Sequence, residues 1–205
     1  MRNLIIAMLL SFSLPSWGAL NGPGTAYESV QESTELLLAR LVEVQPIYES
    51  EPEKFFAEVQ TALEPYVDFT GFAKRVMAKH YRASSPEQRL AFVERFKESL
   101  VHTYATALVE FDNEKVIVIA PTTPQKTDNR ATIMIEVHAK SGTVYPVQYQ
   151  LELNEERRWM LRNVIINGIN IGLQFRSQFN AYMQKHKKNV DKVIENWSVD
   201  VEDKS

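Results

Sequence analysis

The feature that most narrows the fold is a change of hydrophobic period near Asp112: apolar residues recur at helical spacing before it and alternate after it. Val116 to Ala120, Arg130 to Lys140, Thr143 to Leu153 and Arg157 to Ile166 read as four strands separated by turn residues. In the third, Tyr145, Val147, Tyr149, Leu151 and Leu153 alternate with Val144, Pro146, Gln148, Gln150 and Glu152. In the second, Ile133, Ile135 and Val137 alternate with Met134, Glu136 and His138. One face of this sheet is therefore apolar. Short connections such as the Ser141-Gly142 hairpin force antiparallel pairing, because a parallel crossover needs about a dozen residues. Asn167-Gly168 closes the sheet.

The helical half begins with Tyr27 to Gln45, which places Val30, Leu37, Leu38, Leu41 and Val42 near one face, with Pro46 just beyond. A second helix starts near Pro52 and buries Phe55, Phe56, Val59 and Leu63 before Pro65. Asp68 caps a third, carrying Phe69, Phe72, Val76 and Met77. Ser85-Pro86-Glu87-Gln88 is a helix start in which Ser85 caps and Gln88 reaches back. The helix it opens is expected to be the longest, with Phe92, Phe96, Leu100, Tyr104 and Leu108 close to one stripe. Helices from about Gly172 to Lys185 and Val190 to Trp197 end the chain. Four helices, a four-stranded antiparallel sheet and two more helices describe an α+β domain with the helices packed on one sheet face.

The N-terminus is of another kind. Arg2 precedes an apolar run from Leu4 to Leu14, Pro15 ends it, and Ser16-Trp17-Gly18 supplies small residues at a cleavage spacing. A run of about 11 residues is shorter than the roughly 20 that span a bilayer. We read residues 1–18 as an export signal peptide, 19–26 as a turn-rich flexible leader, 27–198 as one domain and 199–205 as a tail. Export places the mature chain in the periplasm of a bacterium or an equivalent space.

Of 205 residues, 26 are acidic and 23 basic, a formal charge of −3. A general electrostatic grip on nucleic acid is excluded, since it needs a clearly basic surface. With no cysteine there is no disulfide framework, thiolate nucleophile, cysteine-ligated metal or lipid-anchored N-terminal cysteine. His80, His102, His138 and His186 fall in different expected elements and never at metal-site spacing, so each reads as a solvated or partnered histidine. No nucleophile elbow, phosphate loop or His-Glu-x-x-His is present. No catalytic residue and no metal site is expected. Asn163 stands out, falling on the Trp159, Leu161 and Ile165 side of a strand; it reads as a satisfied core amide or, alternatively, a polar pocket group.

Met77-Ala78-Lys79-His80-Tyr81-Arg82-Ala83-Ser84-Ser85-Pro86-Glu87-Gln88-Arg89, followed by Phe92, Phe96, Leu100, Tyr104-Ala105 and Ala107-Leu108, resembles the central signature of the MlaC family, periplasmic phospholipid carriers also called toluene-tolerance proteins. A second stretch agrees: Trp159, then Val164-Ile165-Ile166-Asn167-Gly168-Ile169-Asn170, then Phe175-Arg176-Ser177-Gln178-Phe179. Ala78 stands where the family usually has glycine, Asn163 where it has aspartate and Asn170 where it has serine. The resemblance implies an NTF2-like cone with an internal acyl-chain cavity. It also implies shuttling of phospholipid between an outer-membrane lipoprotein–porin complex and the MCE-domain protein of an inner-membrane ABC transporter, which maintains outer-membrane lipid asymmetry. The carrier itself is expected to be a monomer without cofactor.

The physical need for such a carrier is plain. At about 0.8 kcal/mol per methylene, a diacyl lipid of roughly 30 methylenes faces on the order of 20 kcal/mol on bare release into water. The expected apolar wall comprises Phe72, Val76, Phe92, Phe96, Leu100 and Tyr104 from helices and Ile133, Ile135, Val147, Tyr149, Leu151 and Trp159 from the sheet. Arg82 and Arg176 are candidates for a rim near a phosphate, or ordinary surface residues. The same apolar set is compatible with a filled core. Two other functions stay open: an enzyme acting in an NTF2-like cavity, which would need an acid–base pair inside, and a non-lipid protein whose concave face binds a peptide.

Overall fold

The structure, a computed structural model, describes residues 25–109, 115–123 and 127–199. The expected signal peptide, most of the leader and the end of the tail lie outside the described residues. The elements run α1 Ala26–Val44, α2 Pro52–Leu63, α3 Phe69–Met77, α4 Lys79–Ala83, α5 Pro86–Val109, β1 Lys115–Ile119, β2 Arg130–His138, β3 Val144–Leu153, β4 Trp159–Ile166, β5 Ile169–Asn170, α6 Ile171–Lys185 and α7 Val190–Glu195.

Local chemistry sets most helix starts. Ser85 and Gln88 form the expected reciprocal box, with the Gln88 amide donating to Ser85 Oγ at 3.2 Å and the Ser85 amide to Gln88 Oε1 at 3.0 Å. Asp68 accepts the Gly71 amide at 2.7 Å and starts α3. A second box, between Thr25 and Glu28, opens α1 one residue before the expected Tyr27. Thr25 and Ala26, expected in the leader, thus belong to the helix, and Ala26 is fully buried. At the far end the core reaches Val199, expected in the tail, because Ser99 Oγ accepts its amide at 2.6 Å. Val42 is 74% exposed, whereas Val44 is buried; at 100° per residue, position 42 lies off the stripe of Val30, Leu37 and Leu41.

The sheet is an antiparallel meander in the order β1-β2-β3-β4-β5. It has five strands, not the expected four. Asn167 and Gly168 have φ of 49° and 78°, the left-handed pair of a two-residue hairpin, and Ile169 and Asn170 return along Ile166 and Ile165. Two residues carry no readable period. A second difference lies within β4, where the register with β3 shifts between Gln150 and Leu151: Leu151 faces Leu161, but Gln150 faces Asn163. Arg162 is the extra residue of a bulge. Beyond it Val164 and Ile166 join the apolar face, and Asn163 and Ile165 turn to the other, correcting the side on which strict alternation had placed them.

The apolar residues form three clusters. Phe69, Phe72, Val76 and Met77 of α3 pack with Phe92 and Phe96 of α5, Phe175 and Phe179 of α6, and Trp197. Leu41 and Val44 of α1 pack with Phe55 and Val59 of α2 and Val101 of α5. The apolar sheet face packs under the first half of α1, and Val164 and Ile166 touch both this cluster and the α3–α5–α6 one.

Candidate functional site

Two concave regions lie on opposite faces of the sheet, because consecutive residues of a strand point to opposite sides. On the apolar face, Ile133, Ile135, Val147, Leu151 and Trp159 are all buried. Opposite them α1 contributes buried Ala26 and Val30 and part of Tyr27. Its facing stripe continues through Ser33, Thr34 and Leu37, so large apolar strand residues meet small and hydroxyl-bearing helix residues. Between them is a crevice of about 60 Å³, lined by residues including Val30, Ser33, Tyr149, Leu151, Trp159 and Leu161. Ligand sites for drug-sized molecules are about 300–1,000 Å³, so this crevice holds no acyl chain in the conformation described. Burial pushes the phenols of Tyr149 and Tyr104 above their ordinary range.

The expected wall residues are divided between two clusters. Phe72, Val76, Phe92 and Phe96, with Leu100 and Tyr104 partly buried, belong to the helical one; Ile133, Ile135, Val147, Leu151 and Trp159, with Tyr149 partly buried, belong to the sheet one. The helical members are tightly engaged: the rings of Phe92 and Trp197 are 5.2 Å apart and those of Phe72 and Phe96 5.3 Å. Val164 and Ile166 pack against both clusters, and neither lines the crevice under α1.

α1 is unevenly attached. Its second half is held by Leu41 and Val44 in the α2–α5 cluster and by Arg40, which reaches Glu58 of α2 at 2.5 Å. Its first half rests on the sheet through the small residues named above.

On the other face lies an open basin of about 960 Å³ between β2–β4, α3, α4 and the start of α6. Seven cationic side chains line it, Lys74, Arg75, Lys79, Arg82, Arg130, Arg162 and Arg176, against one carboxylate, Glu152. Arg162 is neutralised by Asp68 at 2.9 Å and Glu152 at 2.6 Å. A Cβ on Gly71 would overlap that Asp68–Arg162 pair, so any side chain there would have to displace it. Arg75 donates to the Arg162 carbonyl, and desolvation followed by the Arg162 charge lowers its pKa. Arg82 and Arg176, the expected rim residues, both line this basin, and neither lines the crevice.

A polar knot holds the basin floor. Asn163 Nδ2 donates to Gln150 Oε1 at 2.9 Å and Asn170 Oδ1 at 3.0 Å, while its Oδ1 accepts the Gly172 amide at 2.9 Å. Asn163 is the satisfied amide of the first reading, reached through the bulge rather than through strict alternation. Two of the three departures from the family signature are therefore in contact. An aspartate facing a serine would accept a hydrogen bond where Asn163 donates one to Asn170. The third departure, Ala78, has φ 49° and ψ −119°, a conformation glycine adopts without strain. This turn separates α3 from α4, which the sequence reading had not divided.

The histidines are locally engaged: His80 with Asn180 at 3.1 Å, His138 with Glu136 at 2.8 Å, His102 stacked on Phe56 and His186 on Tyr182. Among the described residues no group of three or more His, Asp and Glu side chains could hold a metal, and no helix is long and apolar enough to cross a membrane.

Comparison with known proteins agrees with this architecture. The family model described as MlaC protein matches residues 31–199. Toluene tolerance protein ttg2D of Pseudomonas putida is 38% identical over 204 residues, spanning 98% of this chain and 91% of that protein. The intermembrane phospholipid transport system binding protein MlaC of Haemophilus influenzae is 28% identical over 90 residues, 44% of this chain and 42% of that one. A solved structure of a phospholipid-binding protein from Ralstonia solanacearum, in complex with a phospholipid, matches with a TM-score of 0.73 and 20% identity, covering 84% of this chain and 94% of that one. The last likeness is one of fold.

Proposed function

Because the chain belongs to the MlaC family, we propose that it is a periplasmic phospholipid carrier whose acyl chains lodge between the apolar sheet face and α1. The observation that carries this reading is the mismatch across the crevice: Leu151, Trp159 and their neighbours are covered by Ala26, Val30, Ser33 and Thr34. Lipid methylenes would cover that face better than these side chains do. Each buried methylene contributes about 0.8 kcal/mol, enough over two chains to offset the loss of the small α1 contacts. Loading swings the first half of α1 away while Leu41, Val44 and Arg40 hold the second half. The architecture is then an NTF2-like cone whose interior opens on loading between α1 and the apolar sheet face.

In this reading residues 1–18 are removed on export, so the mature chain begins at Ala19. Carriage rather than catalysis is supported by the names of the relatives, which describe binding, tolerance and transport. The monomeric carrier exchanges phospholipid between an outer-membrane lipoprotein–porin complex and the MCE-domain protein of an inner-membrane ABC transporter, maintaining lipid asymmetry. Organic extraction of the purified protein followed by mass spectrometry tests the central claim. Stoichiometric, intact phospholipid is the expected result. Lyso-lipid and fatty acid accumulating with incubation time would replace the carrier with a hydrolase, and the absence of lipid would favour a peptide-binding protein. Transfer of labelled lipid to the isolated MCE-domain protein tests the partner.

A further inference from the structure

The basin on the opposite sheet face is not used by the carrier reading. Its seven cations against one lining carboxylate sit on a chain whose formal charge is −3, so the positive charge is gathered rather than general. Arg130 and Arg162 are answered by Glu152 and Asp68, and Lys74 lies over the Tyr81 ring. Lys79, Arg82 and Arg176 are exposed and make no ion pair among the described residues. Lys79 and Arg82 are three apart on α4 and therefore neighbours on its surface. The Ala78 turn sets α4 at the basin edge, while Arg176 comes from the second turn of α6 on another wall.

We propose that this basin is a phosphoryl-binding site in which Lys79, Arg82 and Arg176 hold an anionic phosphate group. Arginine offers planar, bidentate donation to phosphate oxygens, and lysine adds a compact point charge. The basin is concave and open to solvent, with about 960 Å³ of space, so a phosphate-bearing group can enter it. Leu173 and Ala78 are the aliphatic side chains lining it, so acyl chains gain little there and the site is separate from the crevice. The phosphoryl group could be free phosphate or a lipid head group displayed on a membrane, and the two are separable.

The test uses the full mature protein as purified, beside the double variant Arg82→Glu/Arg176→Glu, which alters two exposed side chains. One arm titrates inorganic phosphate by calorimetry. The other sediments the protein with phosphatidylcholine vesicles containing phosphatidylglycerol, with pure phosphatidylcholine as control. Binding in either arm that weakens with salt and falls at least tenfold in the double variant supports the site, and the arm that binds names the source. No binding in both arms, equal binding by the variant, or polyglutamate competing as well as phosphate overturns it. Phospholipid content is measured on the same samples. Intact loading with no anion binding removes the basin site alone, whereas absent loading removes the carrier reading and leaves the basin result standing.

Discussion

Ser33→Leu fills the crevice between α1 and the sheet from the helix side. The Ser33 hydroxyl donates only to the Val30 carbonyl one turn back, at 3.1 Å, so nothing across the seam loses a partner. Filling about 60 Å³ at about 24 cal/mol per Å³ stabilises the closed form by roughly 1.4 kcal/mol. For a domain of this size that raises the melting temperature by roughly 3–6 °C. If acyl chains enter by displacing α1, the same energy disfavours the open form and weakens lipid binding about tenfold. The assay compares delipidated mutant and wild type by circular dichroism, since bound lipid raises the melting temperature by mass action. Lipid content and affinity are then measured on reloaded samples. A stabilised mutant that loads lipid as well as wild type would show that the chains lie elsewhere. A lower melting temperature would show that the crevice has no room to fill.

Two further substitutions follow from the family departures. Ala78→Gly relieves a backbone strain of about 1–3 kcal/mol against a glycine entropy cost of about 0.5–1 kcal/mol. A net gain of about 1 kcal/mol should appear as a melting temperature higher by roughly 2–4 °C, and no change in denaturant midpoint would contradict the strain. Asn163→Asp places a carboxylate against the oxygens of Gln150 and Asn170, which now accept from Asn163, and should cost about 1–3 kcal/mol. Adding Asn170→Ser should restore much of it, since a serine hydroxyl can donate to the carboxylate and still cap the Leu173 amide. A double-mutant cycle with no coupling would mean the two positions do not share a hydrogen bond.

What this sequence determined by itself is the local order. The Ser85–Gln88 box and the Asp68 cap act over a few residues, and the alternation of β2 and β3 is readable along each strand by itself. The α+β class and the antiparallel order follow from them, and the signature around Met77 to Arg89 named the family. The fifth strand was missed, since Asn167-Gly168 read as the end of the sheet and the two residues of β5 are too few for a period. The bulge at Arg162 was not legible, because the Tyr66–Asp68 loop holds Leu161 from the other side, through the Leu161 amide to the Tyr66 carbonyl at 2.7 Å and the Asp68 amide to the Leu161 carbonyl at 3.0 Å. That long-range pair changes the face on which Asn163 and Ile165 lie. Likewise Arg82 and Arg176, far apart in sequence, line one basin because α4 and α6 meet in the fold, His80 of α4 bonding Asn180 of α6 at 3.1 Å and lying against the Phe179 ring. Of the twelve residues expected in the apolar wall nine are buried and Leu100, Tyr104 and Tyr149 partly so, as a filled core would also have them, and any volume among them is a small difference between large packed volumes. Only the tertiary structure sets that difference, through the side chains α1 brings to the sheet.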